Sequence, residues 1–136
     1  MERGFTLVMD IDGTLCPIKK TGEEYADLVP YPQIVAKLRE LRSEGGVYIV
    51  LHTSRQMRTY GGNVGLINAH TAPVLIDWLK KWDIPFDELI FGKPWAGKHG
   101  VYVDDRAVRP DEFLGHTPEE LEEICEAVRK RLEGME

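Results

Sequence analysis

Phe5-Thr6-Leu7-Val8-Met9-Asp10-Ile11-Asp12-Gly13-Thr14 is the stretch on which the fold turns. Phe5–Met9 reads as a buried strand that ends at Asp10, where two acids and a glycine open a polar loop. Working outward, Ile34, Val35, Leu38 and Leu41 share one face of a helix that closes at Gly45-Gly46, where a left-handed cap is cheap. Val47–Leu51 is a second strand, and Leu89–Phe91 and Val101–Val103 are shorter ones. Thr71 is placed to cap a helix carrying Val74, Leu75, Trp78, Leu79 and Trp82, with both tryptophans assigned to the core. Thr117-Pro118-Glu119-Glu120 starts a last helix with a capping box and Pro at its first position, and Leu121, Ile124, Cys125, Val128 and Leu132 form its apolar stripe. Strands apolar on both faces, separated by amphipathic helices, predict a mainly parallel sheet covered on two sides. The expected fold is a three-layer α/β/α Rossmann-like sandwich forming one domain over 1–136.

The composition bounds the function. With 43% hydrophobic and 29% charged residues the chain is globular in type. No apolar run approaches about 18 residues, so no membrane partner is expected. Met1-Glu2-Arg3-Gly4 leads into the first strand without the apolar core of a leader, which gives a cytoplasmic expectation. Two cysteines without ligand-like spacing read as free thiols, Cys16 as a packing thiol and not a nucleophile. His70, His99 and His116 make no metal-ligand pattern. The net charge of −6 argues against a nucleic-acid partner but not against a small anion, because a metal ion and a few cations invert the field inside one cleft.

In parallel sheets the working residues gather beyond the carboxyl ends of the strands. Those ends here are Asp10, then His52-Thr53-Ser54-Arg55, then Lys93, then Asp104-Asp105-Arg106. Ordinary loop polarity explains any one of them, but not the coincidence of all four. The string Asp10-Ile11-Asp12-Gly13-Thr14 arises by chance in a chain of this length on the order of once in a thousand sequences, and it follows a strand as it should.

That string, with Thr53, Lys93 and Asp104-Asp105 in the same order, resembles the four motifs of the haloacid dehalogenase-like (HAD) superfamily over nearly the whole chain. The resemblance implies a phosphoric monoester hydrolase working through an aspartyl-phosphate. Asp10 is then the nucleophile and Asp12 the general acid and base, a residue that phosphatases carry and the dehalogenating branch lacks. Thr53 holds phosphate oxygens, and Lys93 pairs with Asp10 and the phosphate. Mg²⁺ is the implied cofactor, held by Asp10, Asp12 through its main-chain carbonyl, and Asp104, with Asp105 orienting a bound water. The chemistry agrees independently. A carboxylate attacking an anionic ester needs a cation, and hard oxygen donors suit Mg²⁺.

Neither the segment after Asp12 nor Gln56–His70 is long enough for a cap domain; the second reads as a loop or short lid. Three strings, Thr53-Ser54-Arg55-Gln56-Met57, Phe91-Gly92-Lys93-Pro94-Trp95 and Tyr102-Val103-Asp104-Asp105-Arg106, resemble the small phosphatases encoded with capsular polysaccharide biosynthesis enzymes. A phosphorylated sugar or polyol is the substrate this implies, with homo-oligomerisation left open. Gly13, Thr14, Ser54, Arg55, Arg58 and Trp95 are the candidate substrate-binding residues. For Arg55 and Arg58 the choice lies between an anion grip and a solvated loop, and for Trp95 between stacking on a sugar and packing the loop. His52 is read as structural or as a substrate contact. The competing functions are a nucleic-acid-end phosphatase and a non-catalytic phospho-ligand binding or assembly protein.

Overall fold

The computed structural model describes residues 4–135; Met1–Arg3, on which the leader reading partly rests, and Glu136 lie outside them. The chain is described as two compact units, Met1–Trp95 and Ala96–Glu136.

The first unit is built on a parallel sheet in the order β1 (Phe5–Asp10), β2 (Val47–His52), β3 (Glu88–Ile90). The register sets Asp10 beside His52 and His52 beside Ile90, so the three strands finish level and their polar successors emerge along one edge. β2, paired on both sides, is buried along most of its length. β1 alternates instead: Leu7 and Met9 are buried while Val8 is 60% exposed. The expectation of strands buried on both faces therefore holds for β2 and fails for β1 and β3, the two outer strands of this sheet.

α1 (Pro32–Glu44) buries Ile34, Val35, Leu38 and Leu41, as the spacing predicts, and closes on Gly45 at φ 81°. α2 differs from expectation. It runs Val64–Lys81, starting seven residues before Thr71, with Asn63 as the cap accepting from the Leu66 N–H at 3.1 Å. Thr71 lies inside the helix and is buried, its hydroxyl donating to the Gln56 side chain. Pro73 lies inside the helix too. Thr71-Ala72-Pro73 imitates a helix start, but packing of Ile67, Leu75, Trp78 and Leu79 keeps the helix continuous through the proline. Gln56–His70 is accordingly a turn followed by helix. Trp78 is core, and its indole N–H donates to the Leu28 carbonyl at 2.6 Å. Trp82 is only half-buried, because it caps the helix end.

The second unit contains α3 (Pro110–Gly115) and α4 (Pro118–Glu133). α3 was not anticipated, although Pro110 and the Glu112 capping contact to Arg109 mark its start. α4 has the expected Thr117–Glu120 capping box and buries Leu121 and Cys125, while Leu132 is exposed. Val101–Val103 does not form the expected strand. Val101 and Val103 are 83% and 95% exposed, and among the described residues of this unit there is no strand to pair with. A three-residue apolar run has no ladder of its own to hold it extended.

The described residues thus form an α/β structure with a three-stranded parallel sheet and four α-helices, compatible with a Rossmann-like fold. Among the described residues no helix is long and apolar enough to cross a membrane.

Candidate active site

The loop leaving β1 is wound tightly around one carbonyl. The amides of Thr14, Leu15 and Cys16 all donate to the Ile11 oxygen at 3.1, 2.8 and 3.2 Å, and Gly13 N–H donates to the Cys16 oxygen at 2.7 Å. Gly13 sits at φ 90°, a conformation other residues adopt only at a cost. The apolar side chains Ile11 and Leu15 are fully buried beneath it. The loop is therefore closely hydrogen-bonded and packed, and it places Asp10 and Asp12 at the end of the sheet.

Asp10 is gripped from two sides. Lys93 Nζ, 83 residues away in sequence, approaches Oδ1 at 3.3 Å, and the Thr14 hydroxyl donates to Oδ2 at 3.3 Å. The carboxylate still keeps 30% of its side-chain surface in solvent. Lys93 is positioned through its backbone, its N–H donating to the Thr53 carbonyl at 3.1 Å, while Thr53 N–H donates to Ile90. Thr53 is buried, and its hydroxyl oxygen accepts from the Arg55 N–H at 3.0 Å. Asp10, Thr14, Thr53 and Lys93 are thereby brought together at the carboxyl end of the sheet.

Asp12 has a partner that the sequence reading did not give it. Arg55 turns back from the end of β2 and forks onto its carboxylate, Nε to Oδ2 at 3.1 Å and Nη2 to Oδ1 at 2.9 Å. The Arg55 side chain is 1% exposed, and its guanidinium stacks 4.3 Å from the Tyr25 ring centroid. Arg55 is therefore not a solvated loop residue, and two of its three guanidinium nitrogens are taken by Asp12. The physical reason is burial, since a guanidinium taken from water must find a carboxylate.

Arg58 and Trp95 meet each other, with the Arg58 guanidinium 5.7 Å from the Trp95 ring centroid. Ser54 opens the turn after β2, its carbonyl accepting from Met57 N–H at 3.0 Å. His52 lies level with Asp10; burial, then the Lys93 charge, lowers its pKa, against the opposing pull of Asp10. Asp104 and Asp105 belong to the second unit, where both are exposed and Asp104 accepts from the Arg106 N–H at 2.8 Å.

Among the described residues no group of three or more His, Cys, Asp or Glu side chains is gathered to hold a metal ion. The donors in the first unit nevertheless suit a hard cation in kind. Asp10 offers carboxylate oxygen to solvent, and the loop amides converge on Ile11 and not on the Asp12 carbonyl.

Cys16 is fully buried, its thiol 3.8 Å from Asp12 Oδ1. Burial, and then the Asp12 charge, push its pKa up to about 12, against the opposing effect of Arg55. At pH 8.5 the thiolate fraction is then on the order of one in a thousand or less. Iodoacetamide is expected to label Cys16 in the unfolded chain and to leave it unlabelled in the native one; rapid native labelling, read by peptide mass mapping, would contradict this. The sign of the linked stability follows. The unfolded thiol loses its proton near 9.0 and the folded one near 12, so alkali destabilises the fold as pH rises through that window.

The fold and this edge define a class: an α/β protein with a carboxylate pair, a lysine and a buried threonine at the carboxyl end of a parallel sheet. No protein-family model matches the chain, and no curated protein does. A solved structure does match, the crystal structure of an MCSG target from Vibrio cholerae, at 44% identity and a TM-score of 0.82, over 90% of this chain and 97% of that one. The chain belongs to the same family as that Vibrio cholerae protein.

Proposed function

We propose that the protein is a Mg²⁺-dependent phosphoric monoester hydrolase of HAD-like type, with a three-layer sandwich and no cap domain. The observation that carries this reading is the Asp10 carboxylate, partly exposed at the end of β1 with Lys93 on one oxygen and Thr14 on the other, two residues before a second, fixed carboxylate.

In the first half of the reaction an Asp10 oxygen forms a bond to phosphorus as the ester P–O bond breaks, and Asp12, having taken a proton from solvent onto a lone pair that Arg55 leaves free, passes it to the departing oxygen. In the second half Asp12 takes a proton from water as that water attacks phosphorus, which releases phosphate and restores Asp10. Lys93 offsets the repulsion between Asp10 and the incoming anion. Thr53, whose oxygen accepts from Arg55, keeps its hydroxyl proton to donate to a phosphate oxygen. Arg55 grips Asp12 side-on, which sets the plane of the carboxylate while leaving each oxygen a further lone pair for proton transfer. Mg²⁺ would be held, from the first unit, by the Asp10 carboxylate and the Asp12 carbonyl; Asp104 and Asp105 are the further acids that the motif resemblance implies for it. The ion supplies charge stabilisation for the transferring phosphoryl group.

The substrate class we assign is a phosphorylated sugar or polyol of capsular polysaccharide synthesis, on the strength of the three strings around Thr53, Lys93 and Asp104, and the expected location is cytoplasmic. The test is phosphate release from a generic aryl phosphate and from sugar and polyol phosphates. Turnover should require Mg²⁺, disappear with EDTA and return with Mg²⁺ or Mn²⁺. Full activity in a thoroughly chelated sample would overturn the mechanism.

A further inference from the structure

A cavity of about 250 Å³ opens within the first unit, between the 3₁₀ turn Tyr25–Asp27, the turn after β2 and the first half of α2. None of the steps above uses it, yet one of its walls is Arg55. Because Nε and Nη2 of that planar group face Asp12, Nη1 lies on the opposite edge. It is buried and has no hydrogen-bond partner among the described residues. A buried donor left unpaired costs free energy that a bound acceptor would recover.

The other walls suit a particular kind of guest. Gln56 is held at φ 59°, an uncommon conformation for a residue with a side chain, and its side-chain oxygen is taken by Thr71. Its amide N–H groups are therefore the part left to donate. Tyr60 and His70 stack at 5.7 Å and 28°, giving an aromatic wall with polar tips. Glu24 adds an acceptor. A second anion would suit the cavity poorly, since the Arg55 charge is already matched by Asp12 and Glu24 is itself acidic. Hydroxyl groups, each donor and acceptor at once, suit alternating guanidinium, amide, phenol and carboxylate.

We propose that this cavity binds the uncharged, hydroxyl-bearing body of the ester whose phosphoryl group Asp10 attacks. The assignment rests on the phosphatase reading. It places Glu24, Gln56, Tyr60 and His70 as specificity residues, with Arg55 shared between the cavity and the acid that serves the leaving oxygen.

Val74 also lines the cavity and is 40% exposed, so Val74→Trp fills it without disturbing the core. The experiment compares kcat/KM for a hexitol phosphate and for an aryl phosphate in wild type and variant. The preference for the hexitol ester over the aryl ester should fall by about tenfold or more. A preference that stays within about twofold overturns the assignment. Failure of the wild type to cleave either ester would instead sink the phosphatase reading. The cavity is then judged by titrating the unphosphorylated hexitol while following the His70 ring resonances. Saturable shifts in the wild type that vanish in Val74→Trp support it, and their absence in the wild type overturns it.

Discussion

Replacing Asp10 by Asn is expected to lower kcat by at least about a thousandfold while the protein remains folded. An amide oxygen is a poor nucleophile toward phosphorus and forms no stable acyl phosphate, so on the proposed mechanism the first chemical step is blocked. Structure should survive for a local reason. Asp10 is partly exposed, and an Asn side chain keeps an oxygen for Lys93 or Thr14, whose contacts are long at 3.3 Å. Partly exposed pairs of this kind contribute about 1 kcal/mol or less. Circular dichroism and thermal melting should therefore resemble wild type, and activity above a few per cent of wild type would count heavily against Asp10.

Arg55→Ala should do the reverse and damage the fold as well as the rate. The guanidinium is 1% exposed and forked on Asp12, whose own side chain is 21% exposed. Removing one partner of a buried pair leaves the other charge uncompensated, typically at about 3–5 kcal/mol. Tyr25 would also lose the cation stacked on it, and Cys16 the positive charge that opposes its raised pKa. An internal comparison is available in Arg42–Asp87, another bidentate pair, with side chains 33% and 23% exposed. Chemical denaturation should find Arg42→Ala much milder than Arg55→Ala. Equal losses would mean that burial does not distinguish the pairs, and the positioning role of Arg55 would lose its physical basis.

How far the sequence could be read depended on where each signal was stored. β1, β2, α1 and α4 are local: an apolar run, a spacing of three and four, a glycine or a capping box is enough to name them. The junction of Asp10, Thr53 and Lys93 was legible because the carboxyl ends of parallel strands collect on one edge, and the register delivers this with Asp10 beside His52. α2 was misread because Thr71-Ala72-Pro73 carries a local start signal that the packing of Ile67 and Leu75 overrides. Val101–Val103 has strand-like residues but, in its own unit, no neighbouring ladder. The Arg55 position was hidden for another reason. An arginine following a strand reads as exposed and anion-seeking, and nothing near it in sequence announces a carboxylate partner 43 residues earlier. Only the tight loop around the Ile11 carbonyl brings Asp12 to it.

The claim that Asp10 becomes phosphorylated is open to direct measurement. Protein mixed with a hydrolysable phosphate ester and Mg²⁺ is quenched in acid within the first turnover, reduced with borohydride and mapped by peptide mass spectrometry. The account predicts a transient phosphoryl adduct on the peptide spanning Asp10, converted by borohydride to homoserine at that position and missing in Asp10→Asn. Turnover accompanied by an adduct on any other residue, or by none at any quench time, would contradict it.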